Sequence, residues 1–222
     1  MGYRFQSQAR YASSAPAIPV PALLGQVLGI TGLGLIITAF AAYLFQNSGF
    51  GLGLIAMIVG FVLLFAINGT RANPALSLAL FYVFTFLEGV GIAPVIGHYV
   101  QTIGPSVVTE AASTTAIGMF GLGAIVYATG LDLRRFSGIA FGALIALVLV
   151  GVVSAFTHWI HPTVYSWLTL VIFSGLVLID FARIRAGGDG FTPVQLAVQI
   201  YLDAINIFLA LLQIFGGRRS ND

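Results

Sequence analysis

Five polar side chains recur along the last long apolar segment of the chain, and their spacing places them on one side of a helix. Gln195, Gln199 and Asp203 are four residues apart, Asn206 follows three residues later, and Gln213 lies five full turns from Gln195. The opposite face is Ile, Leu, Phe and Ala. A carboxylate at mid-membrane costs on the order of 3 kcal/mol on insertion scales. We therefore expect this helix to be central, with its polar stripe turned towards the protein interior.

The stripe has two interpretations. It is either a buried hydrogen-bonded network that fixes helix register, or a site that binds protons or ions. The first interpretation suits the glutamines and Asn206. It suits Asp203 less well, because an asparagine would fix the register without burying a charge.

Two other acids lie within apolar segments and are candidate partners of Asp203. Asp180 closes "FSGLVLID" in the preceding segment, and Glu88 lies in "FTFLEGVGIAP". Two carboxylates on neighbouring helices titrate as a unit, and one shared proton would let both be buried at neutral pH. A nearby arginine could neutralise the charge instead. The other acids lie in loops, in the tail or at the start of a segment, where solvation or the helix dipole suffices: Asp132, Asp189, Asp222 and Glu110.

The composition is that of an integral membrane protein. Of 222 residues, 59% are hydrophobic and 7% are charged, against roughly 25% charged in soluble domains. Cysteine is absent, which excludes disulfides and thiolate sites. Lysine is absent as well, which excludes Schiff-base chemistry such as that of a retinal pigment. The net charge of +2 gives no reason to expect nucleic acid as a partner, and no tight cofactor or metal site is indicated.

Seven apolar segments are long enough to cross a bilayer as helices. Their approximate bounds are 22–45, 50–68, 75–97, 107–129, 137–157, 164–182 and 192–215. The sequence thus predicts an all-α bundle of seven transmembrane helices over residues 22–216, with the last helix central. Residues 1–21 form a predicted cytoplasmic tail, and residues 217–222 a short C-terminal tail.

Arginines alternate between the loops and predict the orientation. Arg71, the Arg134–Arg135 pair and the Arg183 and Arg185 pair lie in loops on the same side as the N-terminal tail, and the other three loops carry none. The positive-inside rule then places the N-terminus in the cytoplasm. Arg218 and Arg219 conflict with this orientation, because seven crossings put them outside.

The last segment also carries a family resemblance. "YLDAINIFLALLQIFG" at 201–216 resembles the signature of the transmembrane Bax inhibitor motif family, and "GVGIAPVIGHY" at 89–99 and "DLRRFSG" at 132–138 agree with it. The resemblance implies a seven-helix fold in the bacterial inner membrane and a pH-sensitive calcium leak. The implied pH sensor is an aspartate pair matching Asp180 and Asp203, with Arg71 matching an arginine that pairs with this site during switching. Asn206, Gln199 and Glu88 are then candidates to line the pore or bind ions.

Three functional classes are compared. The first is a proton-gated leak for calcium or other cations, in which Ca²⁺ binds transiently and the pair with Arg71 closes the cytoplasmic mouth. The second is a non-enzymatic regulator that binds a membrane protease or another membrane protein. The third is an enzyme, which we do not expect: "LID" and "YLD" do not match the aspartyl-protease motifs, "GGDG" lies in a loop, and a zinc site would rest on three histidines, His98, His158 and His161.

Overall fold

The computed structural model describes residues 18–157 and 159–219, and within them the chain forms seven long α-helices. All seven are long and apolar enough to cross a membrane. The helices are α1 (Val20–Phe45), α2 (Phe50–Gly69), α3 (Pro74–Thr102), α4 (Ser106–Thr129), α5 (Ser137–Thr157), α6 (Pro162–Arg185) and α7 (Pro193–Arg219). A short 3₁₀ turn, Arg134–Phe136, precedes α5. The predicted fold class is confirmed, with no strand among the described residues. The predicted N-terminal tail, 1–21, lies almost entirely outside the described residues, as does His158.

Local sequence signals set where the helices begin and end. Pro74 and Pro162 each occupy the first turn of a helix, where a missing N–H costs nothing. The side chain of Asn73 caps α3 by accepting a hydrogen bond from the Leu76 N–H. Helix α4 ends at Gly130 in the left-handed conformation. Several helices extend beyond their predicted spans, and α3 continues to Thr102.

A glycine-rich loop returns the chain from α6 to α7. Gly187, Gly188 and Gly190 all have positive φ angles, and so does Asp189 between them. A side chain on Gly188 would also press against Leu196 and Leu23. Glycine satisfies both demands, so the loop can turn tightly and lay α7 antiparallel to α6.

Helix α7 is the most buried helix of the bundle, as its polar stripe predicted. It packs against α1, α3, α4 and α6, whereas α2 packs mainly on α3, and α5 mainly on α6. On one side, an apolar groove of about 930 Å³ between α1 and α4 has Ile200, Ala204 and the partly exposed Phe208 of α7 in its lining. The last helix is therefore central but is not enclosed on every side.

Small residues and stacked rings position α3 against its neighbours. A Cβ atom on Gly89 would overlap the main chain of α1 at Thr38, so the two helices approach closely there. Below this crossing Tyr201 of α7 packs edge-on against Phe81 and Phe84, with ring centroids 5.6 Å apart in both pairs. The Tyr201 hydroxyl lies 2.6 Å from Thr38 Oγ1, which ties α7 to α1. These contacts fix the rotation of α7 and hence the direction of its polar stripe.

The far end of α7 lies beside the starts of α4 and α6. Arg219 bonds to Ser106 and forms an ion pair of 2.9 Å with Glu110. Helix α7 therefore runs the full depth of the bundle, and its end is opposite the arginine-bearing loops. The charge of Arg219, which conflicts with the positive-inside pattern, is balanced there by Glu110.

Candidate functional site

Asp180 and Asp203 meet inside the bundle, at the interface of α6 and α7. They are 5% and 3% exposed, and their carboxyl groups are close enough to interact. Because α6 and α7 are antiparallel, Asp180 near the end of one helix faces Asp203 in the first half of the other. Two carboxyl groups can share a hydrogen bond only when one of them carries a proton. A hydrogen bond between Asp180 and Asp203 would therefore require one bound proton.

Arg183 neutralises this pair. Its Nη1 atom donates to Asp180 Oδ1 at 2.5 Å and to Gln199 Oε1 at 2.6 Å. The guanidinium also stacks over the ring of Phe191, with Cζ 5.0 Å from the centroid. Arg183 stands three residues after Asp180, a spacing that brings two helical side chains together. If the two carboxyls share one proton, the site that they form with Arg183 has no net charge, which lowers the cost of burial.

Asp203 has one oxygen without a partner. Its Oδ2 atom is buried and accepts no hydrogen bond from any residue in the described parts of the chain. Such an atom is uncommon in a native interior, because a buried polar group loses its water without compensation. Asp203 is thus the weakly held member of the trio of Asp180, Arg183 and Asp203, and Asp180 is the firmly held one.

A cavity of about 350 Å³ adjoins the trio on the side of the arginine-bearing loops. It lies between the end of α2 and the start of α7, and its polar lining consists of Asn68, Gln195 and Gln199. Gln195 Nε2 donates to Asn68 Oδ1 at 2.6 Å, which joins α2 to α7 across the cavity. Gln199 is shared by the cavity and the Arg183 contact. We call this cavity the vestibule.

The remaining residues of the predicted site lie elsewhere. Asn206 donates to the Leu202 carbonyl of its own helix at 2.8 Å. Glu88 is half-buried between α2 and α3, where its Oε1 atom faces the backbone of Gly60. Gln213, at the far end of the stripe, accepts a hydrogen bond from Ser166 of α6. The stripe thus makes hydrogen bonds to neighbouring helices at its two ends and places the buried Asp203 in its middle.

Arg71 does not join the pair in this structure. It is exposed in the turn after α2 and makes no hydrogen bond or ion pair with any other described residue. Arg183 makes the contact that the sequence analysis assigned to Arg71. The "DFAR" spacing is the sequence signal for it, since it places an acid and a base on one helix face.

The histidines do not form a metal site in the part of the chain that is described. His98 and His161 are exposed, and the His161 ring accepts from the Thr163 N–H as a helix cap. Residues 18–157 and 159–219 hold no cluster of three or more His, Asp or Glu side chains. Asp189 of "GGDG" bonds to Arg134 on the surface, at 2.7 Å, and is not part of the Asp180–Asp203 pair.

Comparison with known proteins identifies the family. The sequence profile described as "Inhibitor of apoptosis-promoting Bax1" matches residues 20–220, which is nearly the whole chain. The chain belongs to the Bax inhibitor family. The resemblance carried by the last helix is therefore confirmed, and the buried trio is a feature of a Bax inhibitor family bundle.

Relatives of this family member occur in bacteria. The chain is similar to the inner membrane protein YbhL of Escherichia coli, at 27% identity over 92% of this chain and 95% of the relative. It is similar to an uncharacterized membrane protein of Streptococcus pyogenes, at 29% identity over 86% of this chain and 90% of the relative. A protein of Helicobacter pylori shares 33% identity over 73% of this chain and 69% of its own length. Membership of the Bax inhibitor family and the seven helices together make the chain a membrane protein.

Proposed function

We propose that the chain is a pH-sensitive cation leak channel, closed by the trio of Asp180, Arg183 and Asp203. The observation that carries the proposal is a pair of buried carboxyls, one of them bonded to an arginine, beside the vestibule. An ionisable trio at that depth is expensive, and such groups mark ion or proton pathways in membrane proteins. Because Asp203 Oδ2 lacks a partner, the trio responds to a gain or loss of one proton.

Charge counting gives the direction of the response. With one shared proton the trio is neutral, and Arg183 stays bound to Asp180. A second proton, taken up at low pH, neutralises both carboxyls and leaves Arg183 with no anionic partner. Arg183 then releases Asp180 and turns towards the vestibule, and the contact between α6 and α7 loosens. The leak is therefore proposed to rise as the pH falls.

The permeating ion is a cation, and calcium fits the chemistry. Carboxylate and amide oxygens are the ligands that Ca²⁺ prefers, and both are present at the trio and in the vestibule. The vestibule's amides could replace part of the hydration shell of a cation that enters from the arginine-bearing side. Calcium would be cargo that binds transiently, and other cations are candidates as well.

The proposed location is the inner membrane of a bacterium, with the N-terminus in the cytoplasm. Arg71, Arg134, Arg135, Arg183 and Arg185 lie at or near the ends of helices on one side of the bundle. The positive-inside rule assigns that side to the cytoplasm. The relative named as an inner membrane protein in Escherichia coli supports the same membrane. The vestibule then opens to the cytoplasm.

Calcium flux into vesicles that contain the purified protein tests the proposal, measured between pH 6 and pH 8. We expect a flux that increases as the pH falls, and that loses its pH dependence in Asp203→Asn and Asp180→Asn. Asp189→Asn is the matched control, because Asp189 is an arginine-bound carboxylate on the surface. No flux above empty vesicles, from folded protein, would contradict the leak and favour a non-enzymatic regulator that binds a membrane protease.

A further inference from the structure

Glu88 is a second carboxyl inside the membrane span, and it stands apart from the trio. It lies fourteen residues after the start of α3 at Pro74, which is about 21 Å along the helix axis and near mid-membrane. A Cβ atom on Gly60 of α2 would be 3.6 Å from Glu88 Oε1. The carboxyl thus occupies the space left by a glycine, beside the ring of Phe84.

No group in the described parts of the chain donates a hydrogen bond or a positive charge to Glu88. Helix α2 carries no titratable side chain, and α1 carries only Tyr43. Tyr201 of α7 packs against Phe84, the neighbour of Glu88, but its hydroxyl is engaged with Thr38. The other titratable groups of α3, α4 and α7 make no hydrogen bond to Glu88: Tyr82, His98, Tyr99, Glu110, Tyr127, Asp203, Arg218 and Arg219.

A negative charge on Glu88 would therefore have no positive partner, which distinguishes Glu88 from the trio. An ionised carboxylate would face apolar side chains and a helix backbone that has no free N–H to offer. A bound proton removes the charge and supplies an O–H donor. We propose that Glu88 is a proton-binding site of its own at the α2–α3 seam, and that its neutral carboxyl is a modification site for hydrophobic carbodiimides.

The chemistry of the modification needs the proton that the site holds. The carboxyl proton passes to one nitrogen of the carbodiimide, and the carboxylate oxygen bonds to its central carbon, giving an O-acylisourea. Migration of the acyl group to nitrogen then yields a stable N-acylurea, and no atom leaves the adduct. An ionised carboxylate lacks the proton for the first step. A reagent dissolved in the bilayer reaches Glu88 because α2 is a peripheral helix and the side chain is only half-buried.

The bound proton also has a structural consequence. Helix α2 is held on α3 through a row of small residues, Gly53, Ala56 and Gly60. Loss of the proton places a negative charge in this seam and weakens it. Because α2 ends beside Asn68, which bonds Gln195, the seam also supports the α2 wall of the vestibule.

Labelling of the full-length protein in lipid nanodiscs with N,N′-dicyclohexylcarbodiimide tests the site, with adducts mapped by mass spectrometry. We expect an adduct on Glu88 that decreases as the pH rises, that persists in the Asp180→Asn, Asp203→Asn double variant, and that is lost in Glu88→Gln. Glu110 is the matched control, since it is exposed and ion-paired, and it should react only with a water-soluble carbodiimide. The site does not depend on a leak, so these outcomes hold whether or not the vesicles conduct calcium.

An infrared measurement keeps the proposal testable where the reagent fails to enter. The difference spectrum of wild type and Glu88→Gln should contain the carbonyl band of a protonated carboxyl, and that band should fade at high pH. No adduct on Glu88 together with no such band would overturn the proposal. An adduct whose yield does not change with pH would also overturn it, because the site would then not exchange its proton.

Discussion

Residues 18–157 and 159–219 contain two trios of one arginine and two aspartates, and these trios differ mainly in burial. In the surface trio, Arg134 bonds Asp132 at 2.8 Å and Asp189 at 2.7 Å, so that both carboxylates are bound to the cation. In the buried trio, Arg183 bonds the carboxyl of Asp180 but not that of Asp203, which lies beside Asp180. Water can solvate both carboxylates of the surface trio, whereas the buried trio needs a shared proton to reach neutrality.

This difference in burial determines whether a trio can respond to pH near neutrality or only links two parts of the chain. Hydrogen bonds from Arg134 lower the pKa of Asp132 to about 2, so the carboxylate of that residue stays charged throughout the physiological range. The surface trio links the loop before α5 to the loop before α7 and is insensitive to neutral pH. The same three groups become able to respond to pH only where the surroundings exclude water.

Replacing the arginine of each trio should give the largest difference between them, in thermal stability and in closure of the leak. Arg183→Gln leaves Asp180 and Asp203 buried without a cation, and breaking a buried pair in this way typically costs about 3–5 kcal/mol. We expect a large fall in thermal stability and a leak that no longer closes at high pH. Arg134→Gln, the matched surface change, should alter neither property beyond a small degree. Thermal unfolding in detergent and vesicle flux measure both, and equal effects of the two variants would contradict the comparison.

Asp203→Asn should have a smaller effect, and on pH dependence more than on stability. The amide N–H of the substituted side chain could donate to Asp180 without a shared proton, which supplies about 1 kcal/mol for one hydrogen bond. Stability should therefore be nearly unchanged near neutral pH, but its variation with pH should be reduced. Unfolding curves from pH 6 to pH 8 measure this, beside Asp189→Asn. A variant that unfolds far more easily at every pH would show that the Asp203 carboxylate itself is needed.

The surface trio should affect stability only in acid. The pKa of Asp132 is lower in the folded protein than the ordinary value of about 3.9, so its contribution is present above that value and is lost as the pH falls towards about 2. Asp132→Asn should therefore differ least from wild type at low pH. It should also differ less in high salt, because exposed charges are screened. A change in the pH dependence of the leak between pH 6 and pH 8 would contradict a purely structural role for the surface trio.

Sequence reasoning predicted the architecture and the aspartates, because both depend on patterns along single helices. Span lengths and a polar stripe with the helical period are visible without tertiary contacts, and they predicted a central α7 with Asp203 turned inward. The Asn68–Gln195 contact and the position of Glu88 opposite Gly60 were not predictable in this way. They depend on how far α2 and α7 are rotated and on the close approach that glycines allow.

The identity of the arginine that binds Asp180 shows most clearly what sequence reasoning could not predict. Three arginines lie at the same end of the bundle as Asp180 and were compatible with the sequence: Arg71, Arg183 and Arg185. The family resemblance pointed to Arg71, and the three-residue spacing from Asp180 to Arg183 was recognised only in the structure. The side chain of a turn residue such as Arg71 can point in many directions. The side chain of Arg183, three residues after Asp180 on the same helix, must lie close to that aspartate. The choice was therefore a matter of geometry that the structure supplies.

The smallest effect is expected from replacing Arg71. This variant tests whether the closed leak has a second arrangement in which Arg71 takes part. In the structure Arg71 is exposed and Arg183 holds Asp180, so Arg71→Gln should change stability by less than about 1 kcal/mol, as for other exposed charges. The pH dependence of calcium flux should remain close to that of wild type. Loss of closure in Arg71→Gln at high pH would mean that Arg71 reaches the vestibule in a second closed arrangement. A double variant with Arg183→Gln distinguishes the cases, because two arginines acting at one site give effects that do not add.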